Sequence, residues 1–190
     1  MSHPTHPATV HFPITTTFLT GALDAVYFLS KYAPTSGAVA STCKPSLHPP
    51  PSDHISNTPP VKTLDIAINP SIFPLLSYYT TLLTLLFSAP AVATGMYEFI
   101  PLVKRDGLKS KKAQVGALHA VINDVTVLGA AFNWWTRRSN PGMVPSDTNI
   151  LISSVIALPA TMFAAYLGGS LVYVYGMGFR GGQAKAKKAQ

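Results

Sequence analysis

Two imidazoles, a carboxylate, two phenols and a guanidinium stand out in a chain otherwise poor in charge: His11, His119, Glu98, Tyr173, Tyr175 and Arg180. Paired imidazoles from facing helices of a bundle are a ligand set for b-type haem, with an arginine available to hold the propionates. The same histidines, together with Glu98 and Asp124, also have the chemistry of a proton relay. Asn123 follows His119 by four residues, so the two share a helical side that Val127 and Ala130 continue. Asp124 points about 100° away from Asn123. It must pair with a group on a neighbouring helix or stay protonated.

Whether these side chains meet depends on the elements that carry them. The strongest signal is Lys111 to Arg138, KKAQVGALHAVINDVTVLGAAFNWWTRR, with cations at both ends and an apolar run broken only by His119, Asn123 and Asp124. About 23 residues at 1.5 Å per residue cover the roughly 30 Å hydrocarbon core of a bilayer. Polar groups inside such a helix are costly and mark a functional site. Trp134 and Trp135, followed by Arg137 and Arg138, read as an interfacial belt that fixes the depth of the span.

Composition agrees. Of 190 residues, 47% are hydrophobic and 11% charged, against about 25% charged in a soluble domain. The net charge of +7 does not mark a nucleic-acid surface, because the cations flank apolar runs and fill the tail. Cys43 is the single cysteine, which rules out an internal disulfide or thiolate cluster. The amino terminus has neither a basic n-region nor an arginine-rich amphipathic leader, so a cleaved signal is not expected. No nucleophile elbow, phosphate loop or HExxH pattern is present, and the reading leans away from an enzyme.

In chain order, spans are expected at about 8–32, 72–103, 113–135 and 148–175, forming one membrane domain. Pro13 should start or kink the first, and Pro90 and Pro159 should kink the second and fourth. Residues 33–70 hold eight prolines and read as an extramembrane loop in which His48 and His54 are solvated; 181–190 is a basic tail. Four crossings put both termini and the second loop on one face. That face carries nine of the 14 lysines and arginines, so the termini should face the cytoplasm or an equivalent compartment. His11, Glu98, His119, Tyr173, Tyr175 and Arg180 then share one layer at that face.

The segments HPATVHFP (6–13), GMYEF (95–99), HAVIN (119–123) and LGGSLVYVYGMGFR (167–180) resemble the four-helix membrane proteins catalogued as domain of unknown function 2231. The match covers all four spans in order. It implies an all-α, four-helix transmembrane bundle in which the proline-rich loop between helices 1 and 2 is an insertion. The position of Tyr175 is a histidine in many relatives, a departure that weakens any scheme needing a third imidazole. The family has no agreed activity, but bacterial relatives fused to Rieske-type or cytochrome c modules imply redox company. Three readings follow. The first is a structural or accessory membrane protein in contact with lipid and complex subunits. The second is an electron-transfer protein with haem b on His11 and His119, Arg180 beside it and a redox protein as partner. The third is a proton or small-solute pathway.

Overall fold

A computed structural model describes residues 5–32 and 71–177. The expected loop at 33–70, with Cys43, His48 and His54, and Arg180 with the basic tail lie outside the described residues. The elements are a short helix α1 (Thr5–Thr9), α2 (His11–Tyr32), α3 (Ile72–Asp106), α4 (Lys111–Arg137), a 3-10 turn (Pro141–Met143), α5 (Asp147–Ile150), a π-helical stretch (Leu151–Ala157) and α6 (Leu158–Tyr173). They make four helices long and apolar enough to cross a membrane: His6–Lys31, Ile72–Asp106, Lys111–Arg137 and Pro141–Tyr173. The fold is the all-α, four-helix bundle that the hydropathy pattern predicts.

Hydroxyl and amide side chains share the interior with small and aliphatic ones, while most large apolar side chains face outward, unlike a water-soluble bundle. Phe18, Leu29, Leu86, Val125, Leu128, Val155 and Tyr166 are among the many large apolar side chains turned outward. Thr17, Thr20, Ser77, Thr80, Thr81, Thr84, Ser88, Asn133, Asn149, Ser153 and Thr161 are buried. Lipid is as apolar as leucine, so helices gain little by hiding leucine from it; close packing and hydrogen bonds hold such bundles together. Thr20 meets Thr80 at 2.8 Å and Thr84 donates to Thr16 at 2.8 Å, linking spans one and two. Between the helices lies a cavity of about 20 Å³ lined by Thr17, Thr20, Thr81, Thr84, Thr126 and Asn133 among others. It has room for one water.

The prolines act where their missing N–H falls. Pro13 cannot donate to the carbonyl of Thr9, and there α1 ends and α2 begins. The first span thus starts before Ala8 and is broken near Pro13. The second span runs through Pro90 and Pro101 as one helix. In the fourth, Pro159 follows directly on the seven-residue π stretch. Pro159 leaves the carbonyl of Val155 without its usual donor, and the wider π turn absorbs the mismatch. Successive spans alternate in direction. His6, Ala91, His119 and Ala164 therefore gather near one end, and Asp24, Ser77, Arg137 and Ser153 near the other.

Candidate functional site

The terminus-bearing end holds an imidazole pair. His119 lies on α4 and points at α6, where its Nδ1 is 2.9 Å from the carbonyl oxygen of Ala164. A Cβ on Gly168, one turn beyond Ala164, would come within 3.1 Å of the His119 ring, so glycine leaves the space the imidazole fills. The same device recurs opposite. His6 sets its Nδ1 3.0 Å from the carbonyl oxygen of Ala91, and a Cβ on Gly95, again one turn later, would lie 2.9 Å from its ring. An alanine carbonyl and a glycine four residues on thus form two matching imidazole seats. The ring centres are 6.3 Å apart with planes at 89°.

Carbonyl oxygens only accept, so each Nδ1 carries the proton and each Nε2 keeps its lone pair. His6 Nε2 has no hydrogen-bond partner among the described residues. His119 Nε2 has a 3.3 Å contact to the Asn123 amide, whose closer bond is to the His119 carbonyl at 2.7 Å. Thr94 and Thr9 close the His6 seat: the Thr94 hydroxyl is 3.2 Å from Nδ1, and Thr9 bridges Thr94 and the His6 carbonyl. Glu98 is half-buried one turn from Thr94.

The structure does not bring His11 to His119. His11 is exposed, and the imidazole beside His119 belongs to His6. Five residues turn a helix by about 140°, so only one of the two histidines can face the bundle. Sequence reading began the span at Ala8 and passed over His6; its place in HPATVHFP, five residues before His11, was the available signal. Of the other expected members, Asn123 and Glu98 are half-buried near the pair, Tyr175 is half-buried and Tyr173 is 87% exposed. Asp124 is exposed.

The opposite end holds a cluster that sequence reading missed. Asp24 and Arg137 are fully buried, at 0% exposure each. Ser77 donates to one Asp24 oxygen at 2.5 Å and Ser153 to the other at 2.6 Å. The Arg137 Nη1 lies 3.4 Å from both oxygens and donates to Ser77 Oγ at 3.1 Å. Its Nη2 donates to the Pro74 carbonyl at 2.8 Å and its Nε to Met143 at 3.1 Å. One residue from each of the other three spans therefore closes on the carboxylate of the first. Below it, Asn133 and Asn149 exchange bonds of 3.0 and 3.1 Å, with Asn149 also held by a capping box with Ser146. Among the described residues no buried side-chain nitrogen or oxygen lacks a partner.

Arg137 was expected at the interface beside its neighbours. Arg138 does turn outward, with its guanidinium 3.4 Å from the centre of the Trp135 ring, a cation–π contact. Arg137, about 100° round the helix, turns in. The signal was periodicity: Gly116, His119, Asn123, Thr126, Ala130, Asn133 and Arg137 recur at alternating steps of three and four. Carried on past Ala130, the stripe reaches Asn133 and Arg137.

Among the described residues no group of three or more histidine, cysteine, aspartate or glutamate side chains is placed to hold a metal ion. No curated protein and no solved structure matches the chain. The resemblance seen in its four motifs holds over nearly the whole length: residues 2–181 match the family described as "Predicted membrane protein (DUF2231)", and the chain belongs to that family.

Proposed function

We propose that this integral membrane protein holds a b-type haem between His6 and His119 and exchanges electrons at the terminus-bearing end of its bundle. The pair of Nδ1 tethers carries the reading. Metal-binding histidines almost always donate their second ring N–H to a carboxylate, carbonyl or water, which fixes the tautomer and aims the free nitrogen. His6 and His119 both do so, on Ala91 and Ala164. The ring centres lie 6.3 Å apart, so both imidazoles could reach one iron if it were bound between them.

A bound haem supplies one-electron exchange. The chain supplies the rest: Ala91 and Ala164 orient the rings, Asn123 steadies His119, and Glu98 sets the local charge beside His6. Arg180 and the basic second loop are the propionate partners in this reading, and a redox protein docking at that face is the electron partner. The excess of cations on that face supports placing it on the cytoplasmic or equivalent side.

Titrating the purified protein with haemin is the test. A Soret shift is expected in the wild type and in His11→Ala, and its loss in His6→Ala and His119→Ala. No shift in the wild type, or an unchanged band in both His6→Ala and His119→Ala, overturns the reading. The same hydrogen bonds favour one other reading, a purely structural role in which His6 staples the first span to the second and His119 the third to the fourth. That reading is selected if haemin leaves the spectrum unchanged while both variants lower the unfolding temperature.

A further inference from the structure

The third span is the least covered of the four. Only 6% of its most apolar window is buried, against 28%, 39% and 33% for the first, second and fourth. Its inner face is the polar stripe that ends at Arg137. Its outer face has the same period, offset by two residues and so about 200° away: Ala117, Val121, Asp124, Leu128, Ala131 and Trp135, at steps of four and three. Val121, Asp124, Leu128 and Trp135 are exposed, and the two alanines are half-exposed. A seam repeating every seven residues is the pattern that packs against one further helix, and small residues let helix backbones approach in lipid.

Asp124 sits at the centre of that seam. It is as far from Lys111 as from Arg137, the two ends of α4, or about 20 Å from each at 1.5 Å per residue. It therefore lies at the middle of the bilayer, on the lipid-facing side. No hydrogen bond or ion pair reaches it within the described residues. Asp24 is held by Arg137, Ser77 and Ser153, and Asp106 by Arg105; Glu98 is half-buried two turns from the end of α3, whereas Asp124 is exposed at the middle of α4. A carboxylate at mid-membrane is costly unless a partner supplies positive charge or hydrogen-bond donors.

The partner's chemistry follows from depth. A second copy, parallel or antiparallel, would set Asp124 against itself, because the residue is at the midpoint. Two carboxylates repel and can pair only by sharing a proton, whereas a cation pairs with the ionised form directly; no lipid-facing cation of this chain lies at that depth among the described residues. We propose that the outer face of the third span docks a membrane-spanning helix of a partner protein that carries a lysine or arginine near its own midpoint. The apolar positions of the seam supply packing, and the Asp124–cation pair supplies specificity and register. The proposal is independent of whether the histidines bind haem.

Trp134 and Trp135 are the only tryptophans in the chain, and Trp135 lies on the seam, which provides the assay. The full chain is reconstituted in phosphatidylcholine vesicles and titrated with dansyl-labelled leucine–alanine transmembrane peptides, one with a single central lysine and one with leucine there. Energy transfer from tryptophan should report binding of the lysine peptide at least tenfold tighter than the leucine peptide. Asp124→Glu should keep the preference, and Asp124→Asn and Asp124→Leu should remove it. Because the residue faces lipid, these variants are expected to fold, which haem-independent circular dichroism checks. Equal binding of the two peptides to the wild type, or a preference that survives Asp124→Asn, overturns the proposal. So does peptide-independent self-association that Asp124→Asn abolishes, which would make a second copy the occupant.

Discussion

Asp24 and Arg137 at one end of the bundle are shut from solvent with each side-chain nitrogen and oxygen partnered, whereas His6 and His119 at the other each keep Nε2 free of a close bond. Both clusters join helices, and both are built from single residues on separate spans. They differ in what is left over. The carboxylate has two serine hydroxyls at 2.5 and 2.6 Å and a guanidinium behind them, so nothing remains to offer a ligand. The imidazoles are held by one nitrogen and present the other. A closed cluster of this kind serves the fold, and an open one is where chemistry is to be sought.

The contrast can be broken first at the closed end. Removing one member of a buried pair leaves a bare charge and costs about 3–5 kcal/mol, while replacing both with apolar residues is often neutral or stabilising. Arg137→Leu should therefore lower stability by that amount in detergent unfolding, and Asp24→Leu with Arg137→Leu should recover most of it. If the double variant is no better than the single, the cluster is not a charge pair in the energetic sense. A smaller loss, about 1.5–3 kcal/mol, is expected for Ser77→Ala, which deletes a hydrogen bond to a charged group.

The open end should respond in the opposite manner. Gly95→Ala and Gly168→Ala each put a methyl group against an imidazole rather than against backbone, so the ring can swing away and stability should change little, by about 0.5 kcal/mol. Ring orientation should suffer. Each variant should weaken haemin binding by about 10- to 100-fold, the usual cost of disturbing what orients a metal ligand. Loss of stability without loss of binding would merge the two ends into one class.

The bundle was legible because lipid imposes length and composition on any helix that crosses it, and KKAQVGALHAVINDVTVLGAAFNWWTRR meets both conditions. That His119 and Asn123 are neighbours was legible from their spacing. The partner of His119 was not, because Pro13 made the helix appear to start after His6, when it only interrupts a helix already under way. Arg137 was hidden by company: beside Trp134, Trp135 and Arg138 it looks like an interfacial anchor, and only the rotation of one residue separates the inward guanidinium from the outward one. Asp24 could not be paired from sequence, since its partner is 113 positions away.

The π stretch at Leu151–Ala157 reaches the first span twice, through Ser153 to Asp24 at 2.6 Å and through Ser154 to the Gly21 carbonyl at 2.8 Å. Two adjacent residues thus bond to one neighbouring helix, and the extra residue in the π turn sets the phase at which they meet it. The wider turn thus behaves like an extra tooth on a gear. Deleting one amino acid from this segment would restore regular winding, yet it would release one grip and rotate everything upstream, back to the capping box at Ser146, out of phase with the rest of the bundle.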